Sequence, residues 1–265
     1  MSFGSFDIGI SGYYGTLFFL CIGLLNPKES IGDVDKRLVS ANTRFGFKLF
    51  EEIVQQDVGK NIFISPSSAA FALTMTYNGA EGETREAMAR TLELAGINLE
   101  EVNRASLQLK EMLENPDHRV ELVIANSLWM RKGIEFKSEF IKRNRNFFKA
   151  DARTLDFNDP SAPSTINEWV NKNTQGKIDK IVGRIDPFTI LFLINAIYFK
   201  GMWSMEFDKE QTKEGEFTLF DGTQKKHPMM SQSGRFRYFE GENFQAVSLP
   251  YGKGRVSMVV FLPDI

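Results

Sequence analysis

The sequence predicts an α+β fold, on three observations. Up to about residue 180 the apolar residues recur mostly at helical spacing, and after residue 203 short alternating strand patterns take over. Between them, residues 190–203 (Ile-Leu-Phe-Leu-Ile-Asn-Ala-Ile-Tyr-Phe-Lys-Gly-Met-Trp) are apolar on both parities, so a strand made from them buries both faces. Fourteen extended residues span roughly 45 Å, against about 17–20 Å for a usual strand, so this one requires a large covered sheet. Helices followed by strands, with no repeat on the order of 20–50 residues, give α+β.

The elements follow in order. Residues 41–54 place Phe47, Phe50 and Val54 at helical spacing, with Arg44, Lys48, Glu51 and Glu52 opposite. Residues 61–64 read as a short strand. Ser65 is then a good N-cap, and Pro66 stands at the first helical position, where its missing N–H costs nothing. That helix passes through Ala69, Ala72 and Met75 and stops at Gly79. Residues 83–92 and 99–113 are two further amphipathic helices, the second closed by Asn115-Pro116. Residues 120–130 alternate as a long strand interrupted by Asn126 and Ser127, and Phe136, Phe140, Phe147 and Phe148 return to helical spacing. After Ala162-Pro163, Thr165 and Glu168 predict a capping box for a helix with Ile166, Trp169, Val170 and Asn173 on one face and Gly176 at its end. Beyond Trp203, strands are predicted at 216–220, 235–239, 246–250 and 255–262, with Asp221-Gly222 as a hairpin turn.

Composition narrows the function. The 265 residues are 42% apolar and 25% charged, ordinary globular values that allow one or two domains. A formal net charge of −2 with no basic stripe argues against nucleic acid as a partner. With Cys21 as its single cysteine, the chain can form no internal disulfide, which does not bar secretion for a domain of this size.

Catalysis and metal binding are poorly supported. His118 and His227 are the only histidines, each is set near a proline, and they read as exposed loop residues. No run of His, Cys, Asp and Glu has metal-ligand spacing, so no metal and no catalytic residue is assigned. Ser65 lacks a Gly-x-Ser-x-Gly elbow and is a cap rather than a nucleophile. Gly252-Lys-Gly254 lacks the third glycine and the helix of a phosphate loop, and reads as a hairpin tip. The basic run Lys142, Arg143, Arg145 and Lys149 is diluted by Glu135, Glu139 and Asp151, which makes it a solvated helix face.

Several separate words in the chain resemble one family. Leu193-Ile-Asn195-Ala-Ile-Tyr-Phe199-Lys-Gly201-Met-Trp203, followed by Phe207 and Thr212, is similar to the third strand of the serpin main sheet and the turn after it. Asn61-Ile-Phe63-Ile-Ser65-Pro66-Ser-Ser68, with Asn78-Gly-Ala80-Glu-Gly-Glu-Thr84, resembles the second and third serpin helices. Ile166-Asn-Glu-Trp169-Val-Asn-Lys-Asn173-Thr-Gln-Gly176-Lys-Ile178 resembles the helix lying across that sheet, and Val259-Val-Phe261-Leu-Pro263-Asp264 a strand of the second sheet.

The resemblance implies an α+β serpin-like fold over residues 31–265: N-terminal helices packed on a large mixed main sheet, plus a second antiparallel sheet, incomplete on the C-terminal side. It implies a suicide-substrate inhibitor of serine endopeptidases, not an enzyme, with no cofactor. The protease cleaves an exposed loop, and the freed loop inserts into the main sheet as a new strand. Ser65, Ser68 and Asn195 would form the hydrogen-bonded cluster under the opening sheet. Trp203 and Thr212 would stand where insertion begins, and Trp169 marks the covering helix. The competing reading makes all of these plain core or cap residues. The reactive site would follow Ile265 and so be absent from this chain. The implied partner is a serine protease, or by extension a cysteine protease, met by a monomer. The alternative from another class is a non-inhibitory serpin-like scaffold, a carrier or an inactive fragment.

Residues 1–30 read two ways. The apolar stretch 13–25 has the length of a signal-peptide core, followed by Asn26-Pro27, which favours secretion to the extracellular space. Asp7 without any preceding Lys or Arg favours instead a disordered N-terminal tail and leaves an intracellular setting open. Membrane contact is expected only if that segment is an uncleaved anchor.

Overall fold

The computed structural model describes residues 35–56, 60–114, 116–219 and 221–263, and of the first 34 residues only the backbone of two strands, β1 (Phe3–Asp7) and β2 (Leu17–Phe19). Apart from those two strands, the expected leader and Cys21 lie outside the described residues. The chain forms two compact units, one from residues 32–115 and 122–199, the other from 1–31, 116–121 and 200–265.

The first unit opens with α1 (Lys36–Gln56), α2 (Pro66–Tyr77), α3 (Gly82–Thr91) and α4 (Leu99–Leu113). Leu38, Ala41 and Phe45 of α1 pack into a core with Ala70 and Tyr77 of α2, Leu92, Leu94 and Ile97 beyond α3, and Val102 and Ala105 of α4. The predicted stripe of Phe47, Phe50 and Val54 is not the one that packs there, and Phe47 is 54% exposed. Nine residues separate Leu38 from Phe47, and at 3.6 residues per turn that is about half a revolution, so the two stripes face opposite ways.

Ser65 caps α2 as expected, its Oγ accepting the Ser68 N–H at 3.4 Å. The strand predicted at 61–64 is absent. That segment has no ladder partner among the described residues, and Phe63 is 96% exposed. Asn98 and Glu101 form a capping box on α4 that sequence reading missed, with bonds of 2.9 and 3.0 Å. Glu93, just past α3, holds a left-handed backbone (φ 59°) while its carboxylate takes both Arg44 and Lys48 of α1.

Next come β3 (Val120–Arg131), α5 (Ser138–Phe148), β4 (Asp151–Leu155), α6 (Ala162–Asn173) and β5 (Leu191–Gly201). The sheet order is β4–β3–β5, with β3 and β4 parallel from Ser127↔Asp151 to Arg131↔Leu155. Lys110, only 5% exposed, donates to Glu114 at 2.5 Å and to the Ile124 carbonyl at 2.6 Å, while Glu114 accepts the Ile124 N–H at 3.0 Å. A side chain of α4 and that of the residue ending it thus occupy both backbone groups of one β3 residue, as a neighbouring strand would. Ile166 and Val170 of α6 pack on Trp129, Phe157, Val182 and Ile194.

Three details differ from expectation. The α6 helix begins at Ala162 after an N-cap at Ser161, so the predicted Thr165/Glu168 capping box does not form; Thr165 instead donates to the Ser161 carbonyl at 3.2 Å. Strand β5 is a strand, as its β-branched content requires, but most of its residues are half-buried and only Ile194 and Ala196 are fully so. It stands last in its sheet, with β3 as its one neighbour among the described residues. Of the large sheet expected, three strands are present among the described residues.

The second unit is antiparallel. A ribbon of β6 (Lys213–Thr218) and β7 (Gln224–Met229) turns at Asp221-Gly222, where Thr223 bonds back to Asp221 through N–H and hydroxyl. His227 therefore sits on an exposed strand rather than in a loop, whereas His118 lies in an exposed turn. β8 (Ser233–Glu240), β9 (Phe244–Tyr251) and β10 (Val256–Pro263) form a second sheet in the order β1–β8–β9–β10–β2. The architecture is α+β, with a mixed sheet and antiparallel sheets as predicted.

Candidate functional site

In the first unit, polar side chains join four elements in a single directed chain. Ser68, in the first turn of α2, donates its hydroxyl to Oδ1 of Asn195 on β5. Asn195 Nδ2 donates to Oδ1 of Asn126 on β3 at 2.7 Å, and Asn126 Nδ2 donates to the Phe148 carbonyl at 2.7 Å. That carbonyl belongs to the last residue of α5, one of the four that a helix leaves without an internal partner. Asn126 is buried, so the amide is held where an unmet bond costs about 1–3 kcal/mol. Bonds pointing the same way polarise one another, so the chain acts as a unit.

Of the predicted cluster, Ser68 and Asn195 thus touch directly. Ser65 does not reach Asn195 among the described contacts and joins only through the Ser68 N–H. Asn126 was legible only as an interruption of a strand; the signal was an amide where an apolar residue would alternate.

Trp203, in the second unit, is placed by a polar knot. Its ring stacks on Tyr251 (4.2 Å between centroids, 15° between planes) and meets Phe207 edge-on at 5.7 Å. Arg119 donates to the Trp203 carbonyl at 3.1 Å and to Glu206 at 3.0 Å. Asp117 accepts the backbone N–H of Arg119 at 2.8 Å and of Lys253 at 2.9 Å. Burial opposes ionisation of Asp117, yet those donors outweigh it and hold its carboxyl below the usual range. Burial pushes the Tyr251 phenol up to about 12, so it stays neutral. Thr212 caps a 3-10 turn at Lys209–Gln211, its N–H bonded to the Lys209 carbonyl at 3.2 Å, and makes no described contact with Trp203.

Trp169 lies half-buried on α6. Its indole N–H reaches Asp151 at 3.2 Å, and its ring meets Trp129 edge-on at 6.4 Å. Beside α6, a groove of about 610 Å³ runs between Asn167 and Asn171 of the helix and Asp179, Lys180 and Arg184 of the segment that follows. Asn167 is tied to that segment, its Oδ1 accepting the N–H of Ile181 and Val182 and its Nδ2 donating to the Val182 carbonyl. Among the described residues no group of His, Cys, Asp and Glu could hold a metal ion, and no helix is long and apolar enough to cross a membrane.

The chain is similar to known proteins throughout this region. Residues 40–265 match the family described as Serpin (serine protease inhibitor). The human leukocyte elastase inhibitor is 36% identical over 235 residues, 86% of this chain and 62% of the relative. The native state of tengpin, a thermophilic serpin, superposes with a TM-score of 0.80 at 33% identity, over 94% of this chain and 63% of that one. Reactive-loop-cleaved human thyroxine binding globulin gives 0.81 at 28% identity, over 86% and 69%. The chain spans between 54% and 63% of the length of the curated relatives it matches. A family match running from residue 40 to residue 265, over helices and strands that superpose on solved serpins, makes this chain a member of the serpin family.

Proposed function

We propose that the protein inhibits serine endopeptidases as a suicide substrate. The protease cleaves an exposed loop and is held as its acyl-enzyme while the freed loop enters the main sheet beside β5. Strand addition supplies new ladder bonds and buries apolar side chains, drawing on a metastable starting state. The carrying observation is the directed chain from Ser68 through Asn195 and Asn126 to the Phe148 carbonyl, next to a β5 edge that bears no strand among the described residues. In this reading Ser65, Ser68, Asn195 and Asn126 keep the sheet closed until the loop arrives. Trp203 and Thr212 stand where insertion starts, and the α6 helix carrying Trp169 yields to it. Residues 31–265 belong to the inhibitory domain, and the apolar stretch 13–25 supports a leader and an extracellular setting.

Incubating the whole protein with trypsin-like and chymotrypsin-like proteases tests this. An adduct that survives SDS supports the reading, and loop cleavage without any adduct removes it. A second reading, a carrier built on the same scaffold, is favoured by the likeness to thyroxine binding globulin. It would give cleavage without adduct, together with saturable binding of a small apolar ligand.

A further inference from the structure

Among the described residues, the carboxylate of Asp151 makes a polar tie between α6 and the sheet. Asp151 opens the five-residue edge strand β4. Arg153 donates Nε to both Asp151 oxygens at 3.0 Å and Nη2 to one of them at 2.6 Å. The same carboxylate accepts the Trp169 indole N–H from α6 at 3.2 Å. The Arg153 guanidinium lies 5.4 Å from the Trp129 ring, whose edge-on partner at 6.4 Å is Trp169. Asp151, Arg153, Trp129 and Trp169 therefore close a ring of four contacts spanning β4, β3 and α6.

The members differ in freedom. Trp129 is 1% exposed and pinned through Nε1 to Ser127 Oγ at 2.9 Å, so it cannot follow a moving helix. Trp169 is half-buried, and if α6 lifts, its N–H passes to water without being stranded. The main grip of α6 is apolar, through fully buried Ile166 and Val170. The polar tie sits at the helix margin, where it can hold position yet release reversibly. Besides Arg153, the Arg145 guanidinium of α5 acts on Asp151, donating to the adjacent Ala152 carbonyl at 2.9 Å.

We propose that Asp151, oriented by Arg153, is a latch on Trp169 that sets how readily α6 moves off the sheet, a positioning role for the helix displacement proposed above. It rests on that reading for its purpose, but not for its test.

Amide hydrogen exchange along α6 measures the latch without any protease. Trp169→Phe keeps an aromatic side chain and deletes the N–H, while Asp151→Ala removes the acceptor itself and releases Arg153. Each variant should raise exchange over residues 166–173 about tenfold, the size of one charge-assisted bond at a partly exposed site, and leave α2 unchanged. The double variant should exchange no faster than either single one, because both remove the same contact. Unchanged exchange in α6, an equal rise in α2, or additive single effects would each overturn the latch. Faster α6 exchange in a protein that forms no protease adduct would leave the latch standing and remove the inhibitor reading. Unchanged exchange in an adduct-forming protein would do the reverse.

Discussion

Asn195 and Asn126 meet side chain to side chain across neighbouring strands, Nδ2 of the first donating to Oδ1 of the second at 2.7 Å. Each amide uses its other end elsewhere, on Ser68 and on the Phe148 carbonyl, so neither can turn without stranding a partner. Asn126→Ala leaves that carbonyl and the Asn195 amide unpaired. The expected loss is about 2–4 kcal/mol, seen as a drop of roughly 5–15 °C in the thermal midpoint. Asn126→Asp keeps the acceptor but places a charge beside the Phe148 carbonyl, and should do no better. A midpoint within about 1 °C of the parent for Asn126→Ala would show that the chain of bonds carries no stability.

Lys110 gives a second test. Lys110→Ala strands the Ile124 carbonyl and frees the partly exposed Glu114, with an expected cost of about 2–3 kcal/mol. Adding Glu114→Gln should recover part of that loss, because the residual penalty is a carboxylate that keeps the Ile124 N–H but has lost its counter-charge. Urea unfolding of the two single variants and the double variant measures the coupling, which should exceed about 0.5 kcal/mol.

Gly252 is the position where backbone and space both forbid a side chain. Its φ is +51°, and an added Cβ would fall 2.4 Å from the Asp117 carboxylate oxygens. Gly252→Ala should cost about 2 kcal/mol or more, from left-handed strain of roughly 1–2 kcal/mol plus displacement of Asp117. Asp117→Ala made in the same background should relieve the clash but not the strain. Denaturant midpoints of the three proteins separate the two contributions.

Acid should unfold the protein through its anchored carboxylates. Arg153 beside Asp151 holds that carboxyl below its usual range, and the N–H donors of Lys253 and Arg119 do the same for Asp117 against its burial. A folded-state pKa lowered in this way gives stability that is complete above the unfolded value of about 4 and is lost as pH falls through the folded one. Thermal midpoints should thus be level from about pH 5 to 7 and fall steeply below about pH 4. Asp151→Asn should flatten part of that fall while lowering the plateau.

Much of this was legible in the chain, and the misses have physical causes. The run 190–203 declared β5 because its apolar, β-branched residues suit a pleat, but one sequence cannot state how many strands lie beside it. β4 escaped notice because Asp-Ala-Arg-Thr-Leu is short and largely polar, a strand only by virtue of its parallel pairing with Ser127–Arg131. The capping-box pattern Thr165/Glu168 pointed to a later start for α6, but Pro163 suits the first helical turn, and the helix begins at Ala162, four residues before the start that a Thr165 cap would set. In the candidate site, Ser68 and Asn195 were nameable from the resemblance. Asn126 was not, since its partner Asn195 lies 69 residues along the chain.

The placement of the three tryptophans has an experimental use. Trp129 and Trp169 lie edge-on in one unit, while Trp203 stacks on Tyr251 in the other. Replacing Trp203 leaves one unit carrying the remaining indole emission, and replacing the other two leaves its counterpart alone. Melting curves from such a pair of optically dissected proteins would reveal whether the molecule comes apart in one step or two.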